Sequence, residues 1–399
     1  MRWSGCAQGV NRRDAEAQGK ILPKRFLHFH RIEGRSTRRV LAVNPLRASA
    51  PLRFSILVLA LVALLAGCAR EAPVHREQAF VFGTLVEVTI AGEPEARARA
   101  LAADVFAEFQ RLHRTFHAWE PGPLAEVNAA LARGEPAAVD AELALYIRES
   151  QDYARRSEGL FDTGLGALVA LWGFHSDRFE PRLPDADALA RLVAQRPSVL
   201  ELTLADGRAS GANPAVRLDF GGYLKGKALD LAAERLKRGG AKSALINIGG
   251  NVLAIGSRGE RPWRVGIQHP RQPGPIATLE LRDGEAIGTS GDYQRYFELD
   301  GRRYSHLIDP RSGQPARGVQ AATVVAQPGP GAGTLSDVAS KPVFIAGAAA
   351  FPRSARRMGI KLAMLIDADG RVHVTPELAA RLSFSEPKPE VRVHSAEET

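Results

Sequence analysis

Cysteine is almost missing from this chain of 399 residues, which has only Cys6 and Cys68. Two thiols exclude a disulfide framework and a cysteine-based zinc site. A long apolar run is missing as well. The uncharged stretch at 54–67, FSILVLALVALLAG, has 14 residues, short of the about 20 that a bilayer-spanning helix needs. The net charge of +9 does not reach the body of the chain. Of 53 basic and 44 acidic residues, 12 and 3 fall within residues 1–53, and beyond them the signs balance at 41 each. The body therefore lacks the basic surface that a phosphate backbone requires, and nucleic acid is not an expected partner. A hydrophobic content of 45% and a charged content of 24% exclude disorder, collagen and coiled coil as the main architecture.

What is present begins with an address. Arg47 and Arg53 precede the apolar run, which ends in Leu65-Ala66-Gly67-Cys68. The basic flank, the length and the small residues fit a secretory signal peptide. The last four residues look like a bacterial lipobox, in which Cys68 becomes the lipidated mature N-terminus. A short buried helix with a core cysteine is the alternative. Residues 1–67 are read as a leader and lipoprotein signal peptide. Residues 1–46 are read as a mis-assigned start, with translation beginning at a non-Met codon within 41–53. Several acyl chains on Cys68 give firm anchorage. The expectation is a bacterial membrane lipoprotein facing the periplasm, with inner and outer membrane both open. Residues 68–78 are expected to be a tether, 79–385 one large domain, and 386–399 a flexible tail.

Within the domain, FVFGTLVEVTI (80–90) alternates and reads as a strand. Apolar spacing predicts helices over 94–116, 140–158, 188–195, 224–237 and 335–347. Strands are expected at 200–204, 215–218, 243–248, 252–256, 263–267, 277–281, 296–299, 321–326 and 361–366. Mixed helices and strands with adjacent strands in the second half predict an α+β (mixed α/β) fold.

Several segments carry candidate chemistry. LDFGGYLKGK (218–227) joins a strand to a helix. Its paired glycines let backbone approach a ligand, and a helix N-terminus favours an anion. Lys225 suits a phosphate and Asp219 a hydroxyl or ring nitrogen; a plain glycine turn is the alternative. INIGGN (246–251) reads as a hairpin turn. GTSGDY (288–293) is either a polar ligand segment or a turn. YSHLIDPRSG (304–313) offers His306 as a general base, or an Asp-Pro turn with a satisfied histidine. Asp337 opens a helix, either as an oxygen ligand to Mg²⁺ or as a carboxylate at a helix N-terminus. Trp172 and Phe174 read as core.

In order, the segments FGT, FHAW, FDTGLGALVALWGF, LDFGGYLKGKALD, INIGGN, WRVGIQHP, GTSGDYQRY, HLIDPRSG and LSDVASK resemble the FAD:protein FMN transferase (ApbE) family of flavin-trafficking lipoproteins, from about Phe82 to Gly370. The resemblance implies a single large transferase domain that binds FAD and Mg²⁺. It implies transfer of FMN to a Thr or Ser hydroxyl of an acceptor flavoprotein subunit, with release of AMP. It places FAD contacts at Phe82, Trp119, Phe161, Asp162, Thr163, Asp219, Lys225 and Ile308. It places metal contacts at the Gly222 carbonyl and at Asp337. The family's next metal ligand, a Thr four residues after this Asp, is Lys341 here, beside Ser340. Either Ser340 supplies an oxygen, or the Lys341 ammonium replaces part of the cation charge. The Thr of FDTG also stands one place early.

Attack on a diphosphate needs charge neutralisation and proton removal. The assigned parts are Mg²⁺ at Asp337, a point charge at Lys225, and His306 as base. Two alternatives are an FAD pyrophosphatase giving FMN and AMP, and a non-catalytic FAD-binding lipoprotein.

Overall fold

The computed structural model describes residues 73–176 and 178–394. Its centre is a nine-stranded sheet whose spatial order follows the chain. The strands are β1 (Val74–Val81), β2 (Thr84–Ala91), β3 (Ala244–Ile248), β4 (Asn251–Ile255), β5 (Ala286–Gly291), β6 (Val319–Ala326), β7 (Leu362–Asp367), β8 (Val372–Val374) and β9 (Val391–Val393). Neighbours are antiparallel except β8 and β9, which are parallel. The helices are α1 (Glu95–Thr115), α2 (Pro123–Ala132), α3 (Ala141–Arg156), α4 (Gly166–Leu171), α5 (Ala186–Gln195), α6 (Leu224–Arg238), α7 (Ala332–Arg357) and α8 (Pro376–Ala379). The mixed α+β expectation holds.

Side-chain alternation divides the sheet's two faces. Ala322, Val324, Ala363 and Leu365 join the core that contains α1, α6 and α7. Ala321, Val325, Met364 and Ile366 point the other way, onto a small sheet that includes Trp263–Gln268 and Pro275–Leu281. With both faces covered, β6 is buried throughout, and its sequence VQAATVVA shows little alternation. A third cluster stacks Trp172, Phe174, Phe297 and Tyr304, and Trp172 Nε1 donates to the Gly313 carbonyl at 2.7 Å. Trp172 and Phe174 are core, as expected.

Several expectations are corrected. Residues 74–78 are not a tether, because they form most of β1, paired along its whole length with β2. Within the expected tail, Val391–Val393 adds β9 to the sheet. The strand read over 80–90 breaks at Phe82-Gly83, a two-residue turn with φ of 57° and 69°. Both values are positive, as the strands' right-handed twist favours. Residues 215–218 form no strand but only a single bridge, Leu165 to Arg217. α7 extends past the expected end, interrupted at Gly347 (φ 75°, ψ 173°). Helix α2 and strand β5 had no counterpart in the sequence reading.

The signal peptide and Cys68 lie outside the described residues. Among the described residues no helix is long and apolar enough to cross a membrane.

Candidate active site

The site grows from the way α6 and α7 begin. The first N–H groups of a helix have no partner within it. Here each helix borrows a carboxylate from the other. Asp230 of α6 accepts from the α7 amides of Gly333 (2.7 Å) and Thr334 (2.8 Å) and from the Thr334 hydroxyl. Asp337 of α7 accepts from the Gly226 amide of α6 at 2.9 Å. Glycine makes this exchange possible. A Cβ at Gly226 would stand 2.5 Å from the Gly333 carbonyl oxygen, and one at Gly333 would stand 2.6 Å from that of Gly226. The crossing fixes the start of α6, and with it Gly222 and Lys225, beside the first turns of α7.

These elements line one side of a cleft of about 630 Å³. The tip of the β1–β2 hairpin closes another side. Phe82 holds a left-handed backbone there (φ 57°), a conformation that costs about 1–3 kcal/mol in a non-glycine residue and concentrates at functional sites. Its ring meets Phe109 and His113 edge-on, each at 5.8 Å. The ring series continues from His113 to His117 (5.0 Å) and from His117 to Trp119 (5.3 Å). Arg295 lies over Trp119 at 5.9 Å. This wall presents planar surfaces suited to stacking.

A third side is the base of the hairpin Tyr296–Leu299/Arg302–Ser305, which sets His306 opposite Arg295. The His306 amide and Nδ1 lie 3.0 and 3.1 Å from the Arg295 carbonyl oxygen. A carbonyl only accepts, so Nδ1 carries the proton and Nε2 keeps the lone pair. Burial holds the His306 imidazole down at about 3, reinforced by the positive charges of Arg295, Lys225 and Lys341. Burial likewise lowers the Lys225 ammonium and raises the Asp219 and Asp162 carboxyls. The cleft thus combines flat aromatic surface, a neutral imidazole and three converging cations.

Residues 82–366 match the sequence pattern of the ApbE family. The chain belongs to the ApbE family. It is 43% identical over 334 residues to the FAD:protein FMN transferase of Rhodobacter capsulatus, covering 83% of this chain and 63% of that relative. It is 34% identical over 240 residues to that of Klebsiella pneumoniae, covering 58% of this chain and 68% of the relative. The chain thus spans less than two thirds of the Rhodobacter protein it matches. Among solved structures, the Thermotoga maritima ApbE protein superposes with a TM-score of 0.70 at 26% identity, over 77% of this chain and 99% of that one. The Pseudomonas stutzeri flavinyl transferase ApbE, apo form, gives 0.65 at 29% identity, over 76% and 93%.

On this ApbE frame, Phe82, Trp119, Phe161, Asp162, Asp219, Gly222, Lys225, His306, Ile308 and Lys341 all line the cleft. Three expected residues do not line it. Thr163 is buried beneath, with its carbonyl accepting from the Asp219 amide at 2.8 Å, so it positions Asp219 through the backbone. Asp337 is buried at the helix crossing, behind Lys341. Ser340 turns its hydroxyl to Ser290 (2.7 Å) and to the Asp337 carbonyl (2.8 Å). Asp162 lines the cleft but is occupied by the amides of Gly164 and Val199, at 2.7 and 2.8 Å. Arg295, His113 and His117 were missed. The i, i+4 spacing of the two histidines in RLHRTFH was the available signal.

The residues assigned to Mg²⁺ come together but do not fit a divalent cation. Asp337 Oδ2 holds the Gly226 amide, and its Oδ1 is ion-paired with the Lys341 ammonium. The Ser340 hydroxyl, expected as a metal oxygen, is bonded to Ser290 and to the Asp337 carbonyl. Among the described residues no group of three or more His, Cys, Asp or Glu is arranged for a metal.

Proposed function

We propose that this chain is an FAD:protein FMN transferase, joining FMN to a Thr or Ser hydroxyl of an acceptor flavoprotein. The observation that carries the reading is the convergence of Lys225, Lys341 and Arg295 on one neutral imidazole beside an aromatic wall, in a chain whose residues 82–366 match the ApbE family. A dinucleotide with a pyrophosphate between two flat ring systems matches that distribution of charge and surface. The aromatic wall stacks a ring system, and the cations receive the pyrophosphate. His306 Nε2 takes the acceptor's hydroxyl proton. The hydroxyl oxygen attacks the FMN phosphorus, the bond to the AMP phosphate breaks, and AMP leaves with the electron pair. Such a base contributes about 10²–10⁴-fold.

The leader belongs to the same reading. With Cys68 acylated, the catalytic domain is tethered to a bacterial membrane on the periplasmic side. Mass spectrometry of the mature N-terminus tests this, and an unacylated Cys68 removes the anchor from the proposal. The catalytic test is incubation with FAD and a candidate acceptor flavoprotein. AMP forms in step with an acceptor mass gain of one FMN less water. AMP and free FMN without that gain would instead support the pyrophosphatase.

A further inference from the structure

We propose that the ammonium of Lys341 occupies the place of a divalent cation at the FAD pyrophosphate, so that FMN transfer by this chain runs without a divalent metal. The inference rests on the transferase reading and concerns how charge is neutralised within it.

Four observations carry it. Lys341 lines the cleft with Gly222, Lys225 and His306. Its ammonium is pinned by the Asp337 carboxylate and by the Asp337 carbonyl oxygen at 2.7 Å, with only 14% of the side chain exposed. Both carboxylate oxygens of Asp337 are engaged, and the Ser340 hydroxyl is engaged by Ser290. A divalent ion would have to displace these partners and accept a like charge beside it. Finally, the lysine is accommodated: a Cβ at Gly222 would stand 3.0 Å from Lys341 Cε, so glycine leaves the space through which the stem runs.

An ammonium fixed in this way offers its remaining N–H to the pyrophosphate without reorganising when charge shifts to the leaving phosphate. As the acceptor hydroxyl attacks the FMN phosphorus, the P–O bond to AMP breaks and its electron pair passes to the AMP oxygen. The hydroxyl proton goes to His306. Lys341 keeps its protons and stabilises the departing oxygen. Lys225 and Arg295, which line the same cleft, supply further positive charge around His306.

The experiment uses the full chain, freed of metal, with FAD and acceptor in EDTA or in Mg²⁺. Mn²⁺ alone is the probe of direct binding, read as the free-ion electron paramagnetic resonance signal. AMP release in EDTA equal to that in Mg²⁺ within about two-fold, and an unchanged Mn²⁺ signal, support the proposal. Lys341→Thr should lose about 100-fold in EDTA, the scale for removing one positioned donor. It should regain rate with Mg²⁺ and deplete the Mn²⁺ signal. Lys341→Met should lose rate without gaining Mn²⁺ binding, and quenching of FAD fluorescence reports whether it is folded. AMP release by the unmodified chain that requires Mg²⁺, or stoichiometric Mn²⁺ binding by it, overturns the proposal and leaves the transferase reading intact. No AMP under either condition overturns the transferase reading itself. The Mn²⁺ signals then decide separately whether Lys341 excludes the ion.

Discussion

Asp230 and Asp337 perform the same structural task on opposite helices, yet only one of them reaches the chemistry. Asp230 directs both oxygens to the first turn of α7, taking two amides and a hydroxyl. Asp337 gives one oxygen to α6 and the other to Lys341, whose side chain lines the cleft. A buried helix-capping carboxylate can therefore serve stability alone, or it can also anchor a charge where a ligand binds. The four residues from Asp337 to Lys341, one helical turn, make the difference.

The largest expected effect comes from breaking the double role. Asp337→Ala leaves the Gly226 amide unpartnered and the Lys341 ammonium without its counter-charge. Removing one member of a buried pair costs about 3–5 kcal/mol, to be read by urea unfolding, and FMN transfer should fall with it. His306→Ala tests the chemistry apart from the helix starts. Single-turnover transfer should drop about 10²–10⁴-fold while FAD affinity is kept. The His306 imidazole is held down at about 3, so the deprotonated base persists as pH falls. Transfer should show no loss from this group near pH 6.5, the usual histidine range. The same shift lowers stability in acid: below about 6.5 the unfolded chain takes up a proton that the folded chain refuses until about 3.

Asp230→Ala should destabilise by about 2 kcal/mol, through lost capping of α7, while folded molecules transfer FMN at the unchanged rate. A matching loss of rate would erase the contrast between the two carboxylates. The smallest effect belongs to the aromatic wall. Trp119→Ala should weaken FAD binding by about 1 kcal/mol, near five-fold, as a fluorescence titration would show.

The helices and strands of the core were largely legible, since amphipathic spacing over α1, α3 and α6 survives in the sequence. β5 was not. Its sequence AIGTSG is rich in small and polar residues because a Cβ at Gly288 would stand 2.2 Å from the Ser336 carbonyl oxygen of α7. That constraint is tertiary and leaves a turn-like signature. The polar segment ahead of Phe80 suggested a tether because β1 is an edge strand, and residues 74–78 are at most half-buried.

For the site, motif order located most of the cleft, but not which groups remain available in it. Asp162, Thr163 and Ser340 carry suitable atoms, and only their hydrogen-bond partners reveal that Asp162 and Ser340 hold backbone and side chains together while Thr163 orients Asp219. Arg295 was invisible for a related reason. It enters the cleft through hairpin pairing with His306, eleven residues away.

The most direct test of the account is to mix the purified chain with FAD and a candidate acceptor flavoprotein, following flavin fluorescence, AMP and acceptor mass together. The expected result is quenching on binding, then AMP in equal amount to acceptor carrying one FMN. Absence of any FAD binding by the folded protein would contradict the account at its root.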